Sequence, residues 1–235
     1  MSLLKHLPNA LTVCNLLCGC IGILLAREPD GMFLVPWMVW IACVFDFLDG
    51  FAARLLNVTS PIGRELDSLA DMVTFGALPS LTMFYYLDMS FAGTQPSYFP
   101  FAALALAVFS ALRLAKFNID TRQAEGFIGV PTPATALFFT SLPALYDYFG
   151  IEPELYSLIA LILLFSWLMV SPLRLFALKF KNFGWKGNEL KFTFLIVSVL
   201  LLVVFREAAV SMIIITYILV SLFTGLRRTG KEPTS

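Results

Sequence analysis

The stretch DFLDGFAARLLNVTSPIGRELDSLAD, residues 46–71, decides how this chain is read. It places Asp46, Asp49, Asp67 and Asp71 in strongly apolar surroundings. A carboxylate at membrane depth costs about 3 kcal/mol or more and is tolerated where it lines a polar cavity. At about 3.6 residues per turn, Asp46, Asp49, Gly50 and Ala53 share one helical face, and Asp67 and Asp71 share a face on the next helix. Pro61 is expected to close the first helix and Gly63 to open the second. Two antiparallel neighbours would then present two carboxylates each to one cavity near the cytoplasmic side. Oxygen ligands without Cys or His suit a hard cation, Mg²⁺, Mn²⁺ or Ca²⁺, over Zn²⁺. Gly50 and Ala53 leave room for a ligand beside the backbone, and Arg54 can meet a phosphate. Pairing with arginines would explain one aspartate easily. It does not explain two helical pairs.

The rest of the chain supplies the membrane. Of 235 residues, 59% are apolar and 14% charged, with 23 Phe and a mean hydropathy of +0.83. Soluble domains carry nearly twice that share of charge. Runs long enough to cross a bilayer as helices fall at 9–26, 34–53, 65–87, 98–117, 132–149, 155–176, 190–205 and 208–226. The expectation is an all-α, polytopic bundle of about eight transmembrane helices in one domain, 1–235. Its six-helix catalytic core covers roughly 1–185, and two appended helices cover 186–235. No cleavable signal peptide is evident.

Charge orients the bundle. With a cytoplasmic N-terminus, Lys5, Arg54, Arg64, Arg113, Lys116, Arg122, Arg174, Lys179, Lys181, Lys186, Lys191, Arg227, Arg228 and Lys231 lie inside. Only Arg27 and Arg206 lie outside, so both termini are expected in the cytoplasm. His6 is the one histidine, which excludes His-based triads. Cys14, Cys18, Cys20 and Cys43 all fall inside spans and read as small packing residues. No nucleic-acid partner is expected.

Further polar residues stand near the same end. Arg113 is deep enough in its span to bind an anion, and Lys116 either shares that role or snorkels to the headgroups. Asn118 can orient a polar group at the same mouth, while Pro131 and Pro133 read as a helix start. Asn9, Thr12 and Asn15 form a polar strip on the first span, read first as helix-to-helix contacts and second as pocket lining.

The spacing D-x-x-D-G-x-x-A-R-x8-G-x3-D-x3-D resembles the signature of the CDP-alcohol phosphotransferases. Asp46, Asp49, Gly50, Ala53, Arg54, Gly63, Asp67 and Asp71 match it without departure. The resemblance implies an integral membrane enzyme that displaces CMP from a CDP-linked lipid with an alcohol. It implies two divalent ions, Mg or Mn, on the four aspartates, with Asp71 also the general base. Gly50, Ala53, Arg54 and Gly63 would face the nucleotide and its phosphates. A homodimer and a prokaryotic cytoplasmic (inner) membrane are expected with it.

The flanking text, ELDSLADMVTFGALP, RLAKFN at 113–118, FIGVPTPA at 127–134 and LPNALTVCN near the start, is similar to the serine-using members. Those more often carry Arg where Lys116 stands, so a forked contact is not expected there. The implied substrates are CDP-diacylglycerol and L-serine, with Arg113 meeting the serine carboxylate or a phosphate. Glycerol phosphate or inositol phosphate as acceptor would require a denser basic pocket. An ion-coupled transporter is the rival from another class, and the unbroken spacing argues against it.

Overall fold

The computed structural model describes residues 3–58, 60–94, 96, 98–119, 127–175, 184–185 and 188–229. Arg122, Lys179, Lys181, Lys186 and Lys231, assigned above to the inner side, lie outside these. The described chain is almost wholly helical. Helix α1 (Leu7–Ala26) follows a 3-10 turn, and α2 (Pro29–Met32) is a single turn leading into α3 (Val35–Leu55). Helix α4 (Pro61–Asp71) continues through a π-helical segment, Met72–Ala77, into α5 (Leu78–Phe91). Then come α6 (Leu104–Ile119), α7 (Thr132–Phe149), α8 (Leu155–Val170), α9 (Glu189–Phe205) and α10 (Ala209–Thr229).

Among the described residues four stretches are long and apolar enough to cross a membrane: Leu4–Ala26, Pro29–Leu55, Phe99–Ile119 and Glu189–Phe223. The last is not one rod. Arg206 takes φ +51, and a 3-10 turn at Arg206–Ala208 sends α10 back along α9, with Phe194 and Tyr217 rings 6.0 Å apart. Helix α8 is a shorter apolar helix. Outward faces are apolar, as at Leu24, Phe47, Leu164 and Val203, which suits lipid and would be anomalous in water.

The turn between α3 and α4 sets the aspartate geometry. Asn57 takes φ +54 just past the end of α3. Its N–H donates to the Arg54 carbonyl (3.2 Å), and that of Val58 donates to Ala53 (3.0 Å), closing a Schellman motif. Ser60 caps α4, its Oγ accepting from the Gly63 N–H at 3.0 Å. Pro61 therefore opens α4 instead of closing α3, and Gly63 sits inside the first turn. Pro at that position gives up a donor that had no intrahelical partner in any case.

Two short extended segments accompany the helices. Phe127–Ile128 (β1) pairs antiparallel with Arg174–Leu175 (β2). Helix α8 stops at Val170, short of the expected 176, because Pro172 cannot donate to a further turn and the chain turns to meet β1. Gly129, at φ +74, donates to Leu173 at 2.8 Å. A side chain there would run into the Met169 carbonyl. Val130 donates to Leu168 at 3.1 Å, which clamps this loop to the end of α8.

Helix α1 is the axis of the first half. It packs closely because Gly19 and Gly22 leave no room for a Cβ against Thr74 and Leu78. Helices α7 and α8 build the second core around Phe138, Phe139 and Phe165, with Phe138 and Phe165 stacked at 4.3 Å.

Candidate active site

Helices α3 and α4 bring the expected carboxylates together. One oxygen each from Asp46, Asp49 and Asp67 lie within 4.8 Å of one another, and Asp71 stands one helical turn beyond Asp67 on α4. Asp49 is buried and the other three are half-buried. Among the described residues no lysine or arginine pairs with any of them, and Asp67 Oδ1 is buried without a partner. Two like charges about 4 Å apart repel by about 4 kcal/mol near a protein surface. The donor set therefore fits a hard divalent cation: carboxylate oxygens only, converging, with one unsatisfied.

Helix α1 holds two of these carboxylates from behind. Thr12 Oγ1 lies 2.6 Å from Asp49 Oδ2 and 3.1 Å from the Pro8 carbonyl. Its single proton goes to the nearer, charged acceptor. Asn15 Nδ2 donates to Asp71 Oδ1 at 3.2 Å, while Asn15 Oδ1 is buried and unpaired. Thr74 Oγ1, in the π segment just after Asp71, donates to the Asn15 carbonyl at 3.0 Å. Thr12 and Asn15 of the polar strip do join helices, as its first reading held, but their partners are members of the cluster itself. Its spacing of three was the only signal in the sequence.

The two glycines of the motif differ. A Cβ on Gly50 would meet nothing within 4 Å, so beside the carboxylates there is open space. A Cβ on Gly63 would press on Ser60 Oγ (2.8 Å) and Asn9 Oδ1 (2.9 Å). Gly63 thus fits the cap of α4 against α1, and Asn9 is its neighbour. Ala53 is half-buried on the acidic face and Arg54 is exposed at the end of α3.

Helix α6 runs antiparallel to the α4–α5 rod. Ser110 lies against Gly76, and Asn118 Nδ2 donates to Ser68 Oγ at 2.9 Å. That register puts Arg113 level with the turn beginning at Asp71. Arg113 is 7% exposed; its Nε donates to the Val130 carbonyl at 2.7 Å, and one terminal nitrogen is buried without a partner. The loop at 127–131 therefore aims a cation whose fork is only partly used. Lys116 is exposed. Asn118 is engaged with Ser68 beside Asp67.

Residues 5–173 match the family described as CDP-alcohol phosphatidyltransferase. The chain belongs to this family. It is similar to proteins named CDP-diacylglycerol–serine O-phosphatidyltransferase from three distant sources. The Helicobacter pylori protein is 34% identical over 85% of this chain and 81% of its own length. That of Bacillus subtilis is 36% identical over 61% and 78%. That of Methanocaldococcus jannaschii is 31% identical over 67% and 70%. The matched segment contains the whole carboxylate cluster, α1 behind it, and Arg113.

Proposed function

We propose that the protein transfers the phosphatidyl group of CDP-diacylglycerol to the hydroxyl of L-serine, giving phosphatidylserine and CMP. The observation that carries this reading is the convergence of the carboxylates, uncompensated by any cation among the described residues and beside the open face of Gly50, within the family-matched segment. Relatives named for serine transfer support the choice of acceptor, and so does a single deep arginine at the level of Asp71.

Asp46, Asp49, Asp67 and Asp71 would hold two divalent ions, Mg or Mn. When bound, these supply positive charge that offsets the pyrophosphate and makes CMP a better leaving group. Gly50 admits the phosphates close to α3, with Ala53 and Arg54 continuing that wall toward the cytoplasm, while Gly63 seats α4. Arg113 orients the serine carboxylate through the nitrogen that Val130 leaves free, and Lys116 and Asn118 stand at the mouth. Asp71, steadied by Asn15, accepts the serine hydroxyl proton as that oxygen bonds to the lipid-bearing phosphorus. The bond from this phosphorus to the CMP oxygen breaks in the same displacement. Positioning and electrostatics do the catalytic work, and no covalent intermediate on the protein is required.

The assembly in this proposal is a homodimer in a prokaryotic inner membrane. Each chain crosses eight times with both termini cytoplasmic, as a core of roughly 1–185 with α9 and α10 appended. The distribution of lysine and arginine supports that orientation. The test is incorporation of labelled serine into lipid by the purified protein, dependent on added CDP-diacylglycerol. Chelation should abolish it, and Mg²⁺ or Mn²⁺ should restore it. Transfer to glycerol phosphate or inositol phosphate instead of serine would overturn the acceptor, and full turnover after chelation would overturn the role of the aspartates.

A further inference from the structure

The loop that continues β1 into α7 meets Arg113 through its backbone, and three restraints hold it in place. Gly129 donates its N–H to the Leu173 carbonyl at 2.8 Å, and Val130 donates to Leu168 at 3.1 Å. Pro131 follows, which confines Val130 to an extended conformation and so fixes the direction of its carbonyl. That carbonyl accepts the Arg113 Nε–H at 2.7 Å. Val130 is fully buried, so the bond is shielded from water.

Glycine is required at 129 for this arrangement. Its φ is +74, and a Cβ would run into the Met169 carbonyl at the end of α8. Gly129 has no side chain with which to meet a substrate; its part is to let the next carbonyl point at Arg113. A simple tie between α6 and this loop would need one donor, whereas a guanidinium brings five. At Arg113 one terminal nitrogen remains buried without a partner. That is a cost which a tie built from a neutral donor would not incur.

We infer that Gly129 and the Val130 carbonyl form a strap that positions Arg113, so that affinity for the acceptor is set in part at the end of α8. This rests on the reading of Arg113 as the partner of the serine carboxylate. Holding Nε fixes the plane of the whole guanidinium, because its nitrogens are conjugated and coplanar. A forked donor meets a carboxylate in one plane, and a freely turning side chain would have to be ordered by each serine that binds. Gly129 and Val130 are thus positioning residues, acting through Arg113 and not on the reacting atoms.

Steady-state transfer by the purified full-length protein tests this with Gly129→Ala, Arg113→Ala and the double variant. Gly129→Ala should raise KM for serine about tenfold, with kcat and KM for CDP-diacylglycerol within about twofold of wild type. Added to Arg113→Ala, it should raise KM for serine no further, because both changes remove one interaction. A merely structural glycine would lower kcat, weaken both substrates and multiply with Arg113→Ala; that pattern overturns the inference. So does a serine KM within about twofold of wild type in Gly129→Ala when Arg113→Ala raises it, and serine recognition by Arg113 then stands without the strap. If Arg113→Ala leaves the serine KM unchanged, the carboxylate reading falls and the strap with it. If Gly129→Ala does not fold, Arg113→Lys decides, since it keeps the charge and loses the fixed plane. A serine KM close to that of Arg113→Ala supports the strap, and one close to wild type overturns it.

Discussion

Replacing Asn15 with leucine isolates the contribution of α1 to the proposed chemistry. Asn15 Nδ2 is the amide donor to Asp71 Oδ1, at 3.2 Å. A hydrogen bond to a charged group contributes about 1.5–3 kcal/mol net. If that bond holds Asp71 where it meets the serine hydroxyl, its loss should lower kcat by about 10- to 100-fold. Folding should be little affected. Asn15 is fully buried with Oδ1 unpaired, so leucine also removes an unsatisfied acceptor, a gain of about 1–3 kcal/mol against the lost bond. The Thr74 hydroxyl keeps its partner, because it donates to the backbone carbonyl of residue 15. The assay is steady-state transfer to serine, with thermal unfolding measured on the same preparations. An Asn15→Leu protein that melts like wild type and keeps kcat within about twofold would refute the reasoning. So would a loss confined to KM for CDP-diacylglycerol, which would make Asn15 part of the lipid-nucleotide pocket.

Arg113→Ala should raise KM for serine by about tenfold or more while moving the CDP-diacylglycerol term less; the reverse pattern would give Arg113 to a phosphate. Gly50→Ala should raise the melting temperature, since alanine in a helix gains about 0.5–1 kcal/mol and its Cβ meets nothing within 4 Å. The same methyl should cut transfer by about tenfold or more by filling the space the phosphates need. On the opposite face, Ser157 and the N–H of Tyr156 hold the Glu154 carboxyl below its ordinary value. A depressed folded-state value contributes stability at neutral pH that is lost on acidification through the glutamate range. Glu154→Gln should therefore melt lower than wild type at pH 7, and the gap should close in acid unfolding scans.

What could be read from the sequence follows from what its periodicity encodes. Asp46 and Asp49, and Asp67 and Asp71, lie one turn apart, so helix geometry alone puts each pair on one face. A short turn then requires the faces to meet. The partners of Thr12 and Asn15 are 37 and 56 residues away, and nothing local to α1 says which helix it will face. The same limit hides the strap at Gly129 and Val130, whose anchors, Leu173 and Leu168, come only after α7 and most of α8. Pro61 is ambiguous in the sequence because proline both ends helices and starts them. The Ser60 cap and Asn57 in the left-handed region decide between the two. The pairing of Phe127–Ile128 with Arg174–Leu175 spans too few residues to leave an alternation pattern.

Gly50 and Gly63 show how one spacing pattern joins different physical demands. At Gly50 the space a side chain would take is empty, so the protein gains nothing from glycine there, and the helix would be more stable with alanine. Under the proposed function the glycine keeps that space open for the phosphates that approach from outside the chain. At Gly63 that space is already filled by Ser60 and Asn9, so glycine is required for α4 to begin against α1. In the proposed function the first position serves binding and the second assembly, yet assembly serves the same end. The cap at Ser60 fixes where α4 starts, which fixes the phase of Asp67 and Asp71 relative to α3. Starting α4 one residue later would rotate both carboxylates by about 100° and out of reach of Asp46 and Asp49. A bulkier residue at 63 should therefore disperse the cluster without touching any of its members, while one at 50 should leave the cluster intact and exclude its ligand.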